Sequence, residues 1–209
     1  MTTTSSRHYT GSKTKASMYD LSGTLDGYES VPPGTSLLIT GGDDRENRER
    51  VMDTLADGLA GGDGAVVVTI DDSVETTREQ LSARAAFEGH QLAVIDCHSS
   101  DDRTQKTLEN GTFVYTVPSL ADLTALGIGI VECFQRLSDA GVGDCRVGGL
   151  SLSRLLEHSD DAEVFKFSHV VSSRLDSAGF LGLFSLDRTA VDTHAYMVIC
   201  EAFDEVLEE

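Results

Sequence analysis

Three aspartates follow predicted buried strands and are the first residues whose spacing could support chemistry. Asp71 and Asp72 come directly after the apolar run at 65–70, and Asp96 ends the run at 92–96. In a parallel sheet the carboxyl ends of the strands meet at one edge, so we expect these carboxylates to lie near one another. Their hard oxygens suit a divalent cation. The alternative is that they cap helices and line solvated loops, and this alternative is the one that the sequence favours.

The turn after the strand at 36–40 (SLLIT) is where a nucleotide-binding sheet would hold phosphate. A P-loop there reads GxxxxGK[ST], because backbone N–H groups, a lysine and a hydroxyl must meet the phosphates and Mg²⁺. This chain instead reads GGDDREN at 41–47 and has no lysine between Lys15 and Lys106. Acidic side chains stand at the helix N-terminus, where an anion would otherwise bind. The sequence therefore predicts that the standard nucleotide site is absent.

A serine nucleophile with a histidine base is a second chemistry to consider. Ser151 and Ser153 could act with His169 or His194. A hydrolase elbow needs GxSxG, and Leu152 stands where its last glycine would be. The sequence does not favour a hydrolase.

The cysteines give no sign of a metal site or of a disulfide framework. Cys97, Cys133, Cys145 and Cys200 are widely spaced and form no CxxC motif. In a chain without a secretion signal, we expect them to be reduced and mostly buried.

Charge and composition restrict the partners. The 209 residues carry 35 acidic and 16 basic side chains, a formal net charge of −19. Such a surface repels phosphate backbones, so direct nucleic-acid binding is not expected. Dispersed acidity with few lysines resembles the proteins of salt-accumulating haloarchaea, where a short Debye length screens self-repulsion. No apolar run approaches the ~20 residues of a membrane-spanning helix and no secretory signal is visible, so a cytoplasmic protein is expected.

Apolar strand-like runs alternate with amphipathic segments from residue 19 onward. Strands are predicted at 36–40, 65–70, 92–96, 113–117, 145–149, 180–186 and 196–199, with a closing strand or tail at 202–209. Helices are predicted at 43–59, 73–87, 119–140, 151–158, 162–177 and about 188–193. This pattern predicts an α/β fold with a mainly parallel sheet, helices on both faces, and a mixed or antiparallel C-terminal edge. We expect a single domain over 18–209, preceded by a flexible, weakly basic arm at 1–17.

Four segments resemble the RecA superfamily, most closely its KaiC-like branch. GTSLLITGG (34–42) is similar to the strand entering the P-loop, and AVVVTIDDSVE (65–75) to the strand that ends in a catalytic acidic pair. RVGGLSLSRLL (146–156) resembles the Walker B segment, and FDEV (203–206) the closing strand. The resemblance implies a RecA-like three-layer sandwich whose nucleotide site has degenerated. Its implied remnants are Gly41, Gly42, Asp43, Arg45, Asp71, Asp72, Leu150 and Ser151, with Leu150 in place of the metal-binding aspartate.

The resemblance leads to a functional hypothesis. A domain that has lost the phosphate lysine and the magnesium carboxylate lacks the groups that neutralise charge in phosphoryl transfer. We therefore expect no bound cofactor and a non-catalytic adaptor or regulator in haloarchaeal signal transduction or cell organisation. Its partner would be a protein, either a second copy or an active RecA-like paralogue.

Two alternatives remain. One is an atypical ATP and Mg²⁺ sensor or weak ATPase, binding through Gly41–Gly42 and Arg45 or Arg48, with Asp71 or Asp72 ordering a water. The other is a companion of DNA-repair recombinases, against which the net charge argues.

Overall fold

The computed structural model describes residues 18–99 and 102–208, and the predicted arm at 1–17 lies outside them. Its strands are β1 (Tyr19–Asp20), β2 (Ser30–Val31), β3 (Ser36–Ile39), β4 (Gly64–Thr69), β5 (Leu92–Asp96), β6 (Gln105–Thr107), β7 (Phe113–Thr116), β8 (Cys145–Ser151), β9 (Leu181–Ser185) and β10 (Glu205–Leu207). Its α-helices are α1 (Asp44–Gly61), α2 (Val74–Ser82), α3 (Leu123–Asp139), α4 (Leu152–Leu156), α5 (Asp161–Ala178) and α6 (Thr193–Cys200). None of these described helices is long and apolar enough to cross a lipid bilayer.

One central sheet organises the chain. Its strand order is β10-β3-β9-β8-β4-β5-β7-β6, and every described neighbouring pair is parallel except β6–β7. Four inner strands, β3, β4, β5 and β9, are buried along their whole length, which explains their near-continuous apolar sequences. The predicted α/β fold with a mainly parallel sheet is confirmed.

Each face of the sheet has its own apolar layer. On one face α1, α2 and the β1–β2 hairpin pack over the sheet through residues such as Val51, Leu55 and Leu81. On the other, α3 to α6 contribute residues such as Leu126, Phe167 and Ile199. The result is a three-layer arrangement with helices on both faces.

The prediction of a mixed or antiparallel C-terminal edge is wrong. The last strand, β10, pairs parallel with β3, and the antiparallel strand is β6 at the opposite edge. The segment at 196–199, predicted as a strand, belongs to α6. Asp192 caps this helix by accepting hydrogen bonds from the backbone N–H groups of His194 and Ala195. Tyr196 and Ile199 then lie one helical turn apart and are buried.

Several predicted boundaries also shift. The second helix ends at Ser82 instead of residue 87, and the long helix begins at Leu123 because Asp122 caps it. Asp160, one residue earlier than Asp161, caps α5. Ser73 is the N-cap of α2, and a Cβ at Gly129 would lie 2.8 Å from the Tyr115 ring, so this helical glycine permits close packing.

A buried arginine ties α1 to the amino end of β8. The side chain of Arg146 is only 6% exposed; its Nε lies 2.9 Å from Asp63 Oδ2, and its Nη1 donates to the carbonyl of Thr54 at 2.8 Å. Asp57 is a third partner, at 3.3 Å. Because a charge buried without partners is costly, the two aspartates are what make Arg146 tolerable here.

Candidate functional site

The crevice turn, residues 40–44, connects β3 to α1 at the carboxyl edge of the sheet, and the N–H groups of Thr40, Gly42 and Asp43 already donate hydrogen bonds within the chain. Asp43 is the N-cap of α1: its Oδ1 accepts from the N–H of Glu46 at 2.8 Å, and Glu46 Oε2 accepts from the N–H of Asp43 at 3.4 Å. This reciprocal pair is a capping box. The carboxylates thus bond to N–H groups that a bound phosphate would require.

Asn47 closes the rest of the crevice turn. Its side chain is fully buried; Oδ1 accepts from the N–H of Gly42 at 2.9 Å, and Nδ2 donates to the Gly42 carbonyl at 2.8 Å. Nδ2 also lies 3.4 Å from the carbonyl of Leu186, which follows β9. A Cβ at Gly42 would lie 2.8 Å from Glu46, so glycine is required for steric reasons. The turn is locked by its own side chains.

The acidic pair after β4 is neutralised by arginines. Asp72 forms an ion pair with Arg48 of α1, and Gln80 bonds to both partners. Asp71 pairs with Arg154 of α4 at 2.8 Å. Arg154 also bonds to Glu157; that hydrogen bond, with the nearby charge of Asp71, raises the pKa of Arg154 above its ordinary value. Both acids are therefore engaged in ion pairs.

A backbone irregularity at Gly149 determines which side chains at the end of β8 face the core and which face the crevice. Gly149 has φ of 87°, and the pairing of β8 with β9 shifts register between Val147 and Leu150. Side chains alternate between faces along a regular strand, so one extra residue reverses which face the next one takes. Leu150 consequently joins the same apolar layer as Cys145 and Val147, where it is 1% exposed. The position assigned to the Walker B aspartate lies in the core.

Ser151, the next residue, faces the crevice. Its Oγ donates to Asp44 Oδ1 at 3.2 Å and accepts from the N–H of Arg154 at 3.3 Å, which caps α4. Burial is the main cause of a raised pKa at Asp44, and hydrogen bonds from Ser151 and Ser153 partly offset it. Asp44 therefore stands partly buried at the centre of the crevice.

The crevice itself is small. It encloses about 60 Å³ and is lined by Asp44, Arg48, Val51, Val68, Ile70, Asp71, Gly149, Ser151, Arg154 and Ser185. Small-molecule sites usually measure about 300–1,000 Å³, and one water takes up about 30 Å³ of the liquid. The space suits a few water molecules and is too small for a nucleotide.

The three aspartates considered as a cation site, which the sequence did not favour, each have other partners in the structure. Asp96 Oδ1 accepts from the N–H groups of His98 and Ser99, both at 3.0 Å, in a local turn. Asp71 and Asp72 face their arginines. Across residues 18–99 and 102–208, no three His, Cys, Asp or Glu side chains gather as a metal site would require.

The serine and histidine candidates are also separated. Ser153 Oγ accepts from the backbone N–H of Asp187 at 2.8 Å. His169 stacks on Phe165 along α5, and the His194 N–H helps to cap α6. Within the described residues neither Ser151 nor Ser153 bonds to an imidazole.

The cysteines are free thiols, as expected, and burial raises the pKa of Cys97 to about 12.

The structure thus brings some predicted remnants together and leaves others apart. Asp71 and Ser151 line the crevice, and Asp72 contacts its wall through Arg48. Arg45 points outward and is exposed, with no ion pair in the described part of the chain.

Sequence reasoning missed Asn47 and Arg154, and it named Arg48 without its ion pair to Asp72. The capping box was visible as Asp43-x-x-Glu46, a recognised helix-start pattern. The arginine pairs had no such signal, because their partners are distant in sequence.

Comparison with known proteins identifies the family of this chain but assigns it no activity. A search of curated proteins finds no match to this sequence. The profile of a family of unknown function, DUF7504, matches residues 34–209, from the entry to β3 through the end of the chain, and this protein therefore belongs to that family.

Proposed function

We propose that this chain is a non-catalytic RecA-like domain of the KaiC-like branch, acting through protein contacts as an adaptor or regulator in signal transduction or cell organisation. The observation that carries the proposal is the state of the crevice turn. Asn47, Asp43 and Glu46 occupy the backbone groups that would otherwise hold a phosphate.

The sheet topology supports the RecA-like part of the proposal. The turn after β3 and the end of β8, the two places that the resemblance assigns to phosphate and metal, lie at the same edge with only β9 between them. Helices cover both faces. Loss of a nucleotide site from an otherwise intact fold would leave this arrangement. The two strand ends would still lie at one edge of the sheet, and the chain's own side chains would fill the space at both.

Electrostatics supports the non-catalytic part. Phosphoryl transfer depends on positive groups that neutralise the charge developing on the phosphate. The two guanidinium groups at the crevice, Arg48 and Arg154, are each held by a carboxylate of the same chain. Leu150 supplies no metal ligand. A triphosphate brought here would meet Asp44 and Asp71 in a cavity of about 60 Å³.

Calorimetric titration with ATP and Mg²⁺ tests the proposal. The titration is run in about 2 M KCl, because the Debye length there is about 3 Å or less and an acidic protein is well screened. We expect no saturable heat at millimolar ATP and no release of phosphate. Micromolar binding with turnover would overturn the proposal.

An atypical nucleotide sensor is the second candidate, and one observation favours it. Arg48, Arg154 and Gly149 line one cavity, so a ligand that displaced Asp71 and Asp72 would meet two guanidinium groups. Thermal shifts in the presence of ATP for Arg48→Ala and for Arg45→Ala separate the candidates, since Arg45 is exposed and outside the crevice. A sensor would show an ATP-induced shift in the wild type that Arg48→Ala removes and Arg45→Ala keeps. An adaptor would show no shift in any of them.

A further inference from the structure

A wide apolar groove lies between α3 and α5, on a helical face of the sheet and away from the crevice. It measures about 660 Å³ and is lined from both helices. Ile128 and Val131 of α3 are each 45% exposed there, and Val170 of α5 is 49% exposed. They are three of the five large apolar side chains exposed in the described part of the chain; the other two, Met18 and Met197, do not line the groove. Exposed apolar groups gathered in one place mark an interaction surface.

Gly127 keeps the groove open. A Cβ built on this glycine would lie 3.9 Å from the ring of Phe167, an ordinary contact distance. The helix therefore has room for a side chain at position 127. Because glycine has none, the Phe167 ring forms the floor of the groove.

The charges on α5 are arranged so that this face complements itself. Glu163 lies near the start of the helix and Arg174 near its end, and both line the groove together with Phe167 and Val170. The successive spacings of these four residues (four, three and four positions) keep them on one helical face. Glu163 and Arg174 are eleven positions apart, about 16 Å at 1.5 Å per residue, too far to pair within one helix.

A twofold axis crossing α5 at its midpoint brings these residues onto one another. When two copies of α5 pack antiparallel, Glu163 of one chain lies opposite Arg174 of the other, and Phe167 lies opposite Val170. The same axis repeats both pairs, so one interface contains two ion pairs around a central apolar contact. Interfaces between identical chains related by a twofold axis require this kind of self-complementarity.

We propose that the α3–α5 groove is a homodimer interface, in which α5 of a second copy lies antiparallel against α5 and covers Ile128, Val131 and Val170. The proposal deepens the proposed function, on which it rests for its biological role, by naming a partner and a surface. Its geometry does not involve the crevice, so dimerisation and nucleotide binding are separate measurements and either can fail alone.

Salt should strengthen this dimer. Two chains that each carry a formal charge of −19 repel one another at low ionic strength. Screening removes this long-range repulsion, whereas apolar burial does not depend on it and ion pairs in contact within an interface are screened much less. We expect the dimer fraction to rise from about 0.1 M to about 2 M KCl.

Sedimentation equilibrium of charge-swap variants tests the interface. Glu163→Arg places two arginines opposite each other at both ends, and Arg174→Glu does the same with two glutamates. Each single variant should dimerise about tenfold more weakly or worse, a change of about 1.4 kcal/mol in dimerisation free energy. The double variant restores opposite charges at both ends and should regain the wild-type dissociation constant.

Glu109→Arg is the matched control. It makes the same change of charge at an exposed position between β6 and β7, outside the groove, and should leave dimerisation unchanged. Circular dichroism verifies that every variant is folded. A wild type that is monomeric at about 2 M KCl, single variants that dimerise normally, or a double variant that fails to recover would each overturn the proposal.

Discussion

The side-chain amide of Asn47 forms with Gly42 the two hydrogen bonds that a neighbouring backbone segment would form. Its oxygen accepts from the Gly42 N–H at 2.9 Å, and its nitrogen donates to the Gly42 carbonyl at 2.8 Å. Because Asn47 is completely buried, neither bond can be replaced by water without opening the turn. The conformation of the crevice turn is therefore determined by Asn47, the fourth residue of α1.

Asn47→Ala should reduce stability by about 1–3 kcal/mol, because it leaves the partly buried N–H and carbonyl of Gly42 without their side-chain partner. Urea denaturation measures this loss. Arg45→Ala, two positions away and exposed, should change the free energy of unfolding by less than about 0.5 kcal/mol. Equal effects for the two variants would contradict the structural role assigned to Asn47.

Gly149→Ala should be among the most destabilising small substitutions in the chain. Its φ of 87° disfavours any other residue, and a Cβ would lie only 2.3 Å from the carbonyl oxygen of Val68. Gly141→Ala is the matched control, since its φ is 86° and nothing lies within 4 Å of its Cβ position. Gly141→Ala should cost about 1–2 kcal/mol from backbone strain alone. If thermal unfolding shows that Gly149→Ala costs no more, the close approach to Val68 is wrong.

Asp44→Asn should stabilise the protein at neutral pH. Burial raises the pKa of Asp44 above its ordinary value of 3.8, so the folded state holds the proton more tightly than the unfolded chain does. The contribution of such a group to stability is present below the unfolded pKa and is lost as the pH rises through the folded pKa. The melting temperature of Asp44→Asn should exceed that of the wild type at pH 7, and the difference should vanish below about pH 4.

Asp26→Asn controls for net charge in that comparison, because it removes the same charge from an exposed position. A rise in melting temperature common to both variants reflects reduced repulsion among the acidic side chains of the protein. Only the additional rise in Asp44→Asn is due to the burial of Asp44. The interpretation fails if Asp26→Asn produces the same gain with the same pH dependence.

Arg146→Ala should lower stability by about 3–5 kcal/mol, because it leaves Asp63 without its guanidinium partner beneath α1. Arg103→Ala removes an exposed arginine paired with Asp122 at 3.1 Å and should cost about 0–1 kcal/mol. Denaturant unfolding of both variants makes the comparison. A small effect at Arg146 would mean that the aspartates become hydrated when it is removed.

Local sequence patterns predicted the features that depend on neighbours in the chain. The buried strands are contiguous apolar runs, and Ser73 caps α2 as its position indicates. The segment at 196–199 was misassigned because YMVI has the composition of a strand, whereas its conformation is set by the Asp192 cap and by burial of Tyr196 and Ile199. β6 was missed because all three of its residues are exposed, so it has no apolar pattern.

The crevice was only partly predictable for a similar reason. That acidic residues stand at the start of α1, where a phosphate-binding loop would have glycines and a lysine, could be read from residues 41–47. That Arg48 and Arg154 hold Asp72 and Asp71 could not, because each ion pair joins residues far apart in the chain, 24 positions (72 − 48) and 83 positions (154 − 71). The inward direction of Leu150 depends on the Gly149 bulge, which single-sequence periodicity does not reveal.

The left-handed residue in β8 also decides whether a carboxylate introduced at the end of this strand could serve as a magnesium ligand. An aspartate substituted for Leu150 would project its carboxylate into the hydrocarbon layer beneath α3 and α5, and position 151, which does face outward, already contacts the acid at 44. A side chain at position 150 would face the crevice only after deletion of the extra strand residue, which would reverse the alternation of faces along the end of β8. The inward direction of position 150 is thus set by the main chain, and a substitution at that position alone does not change it.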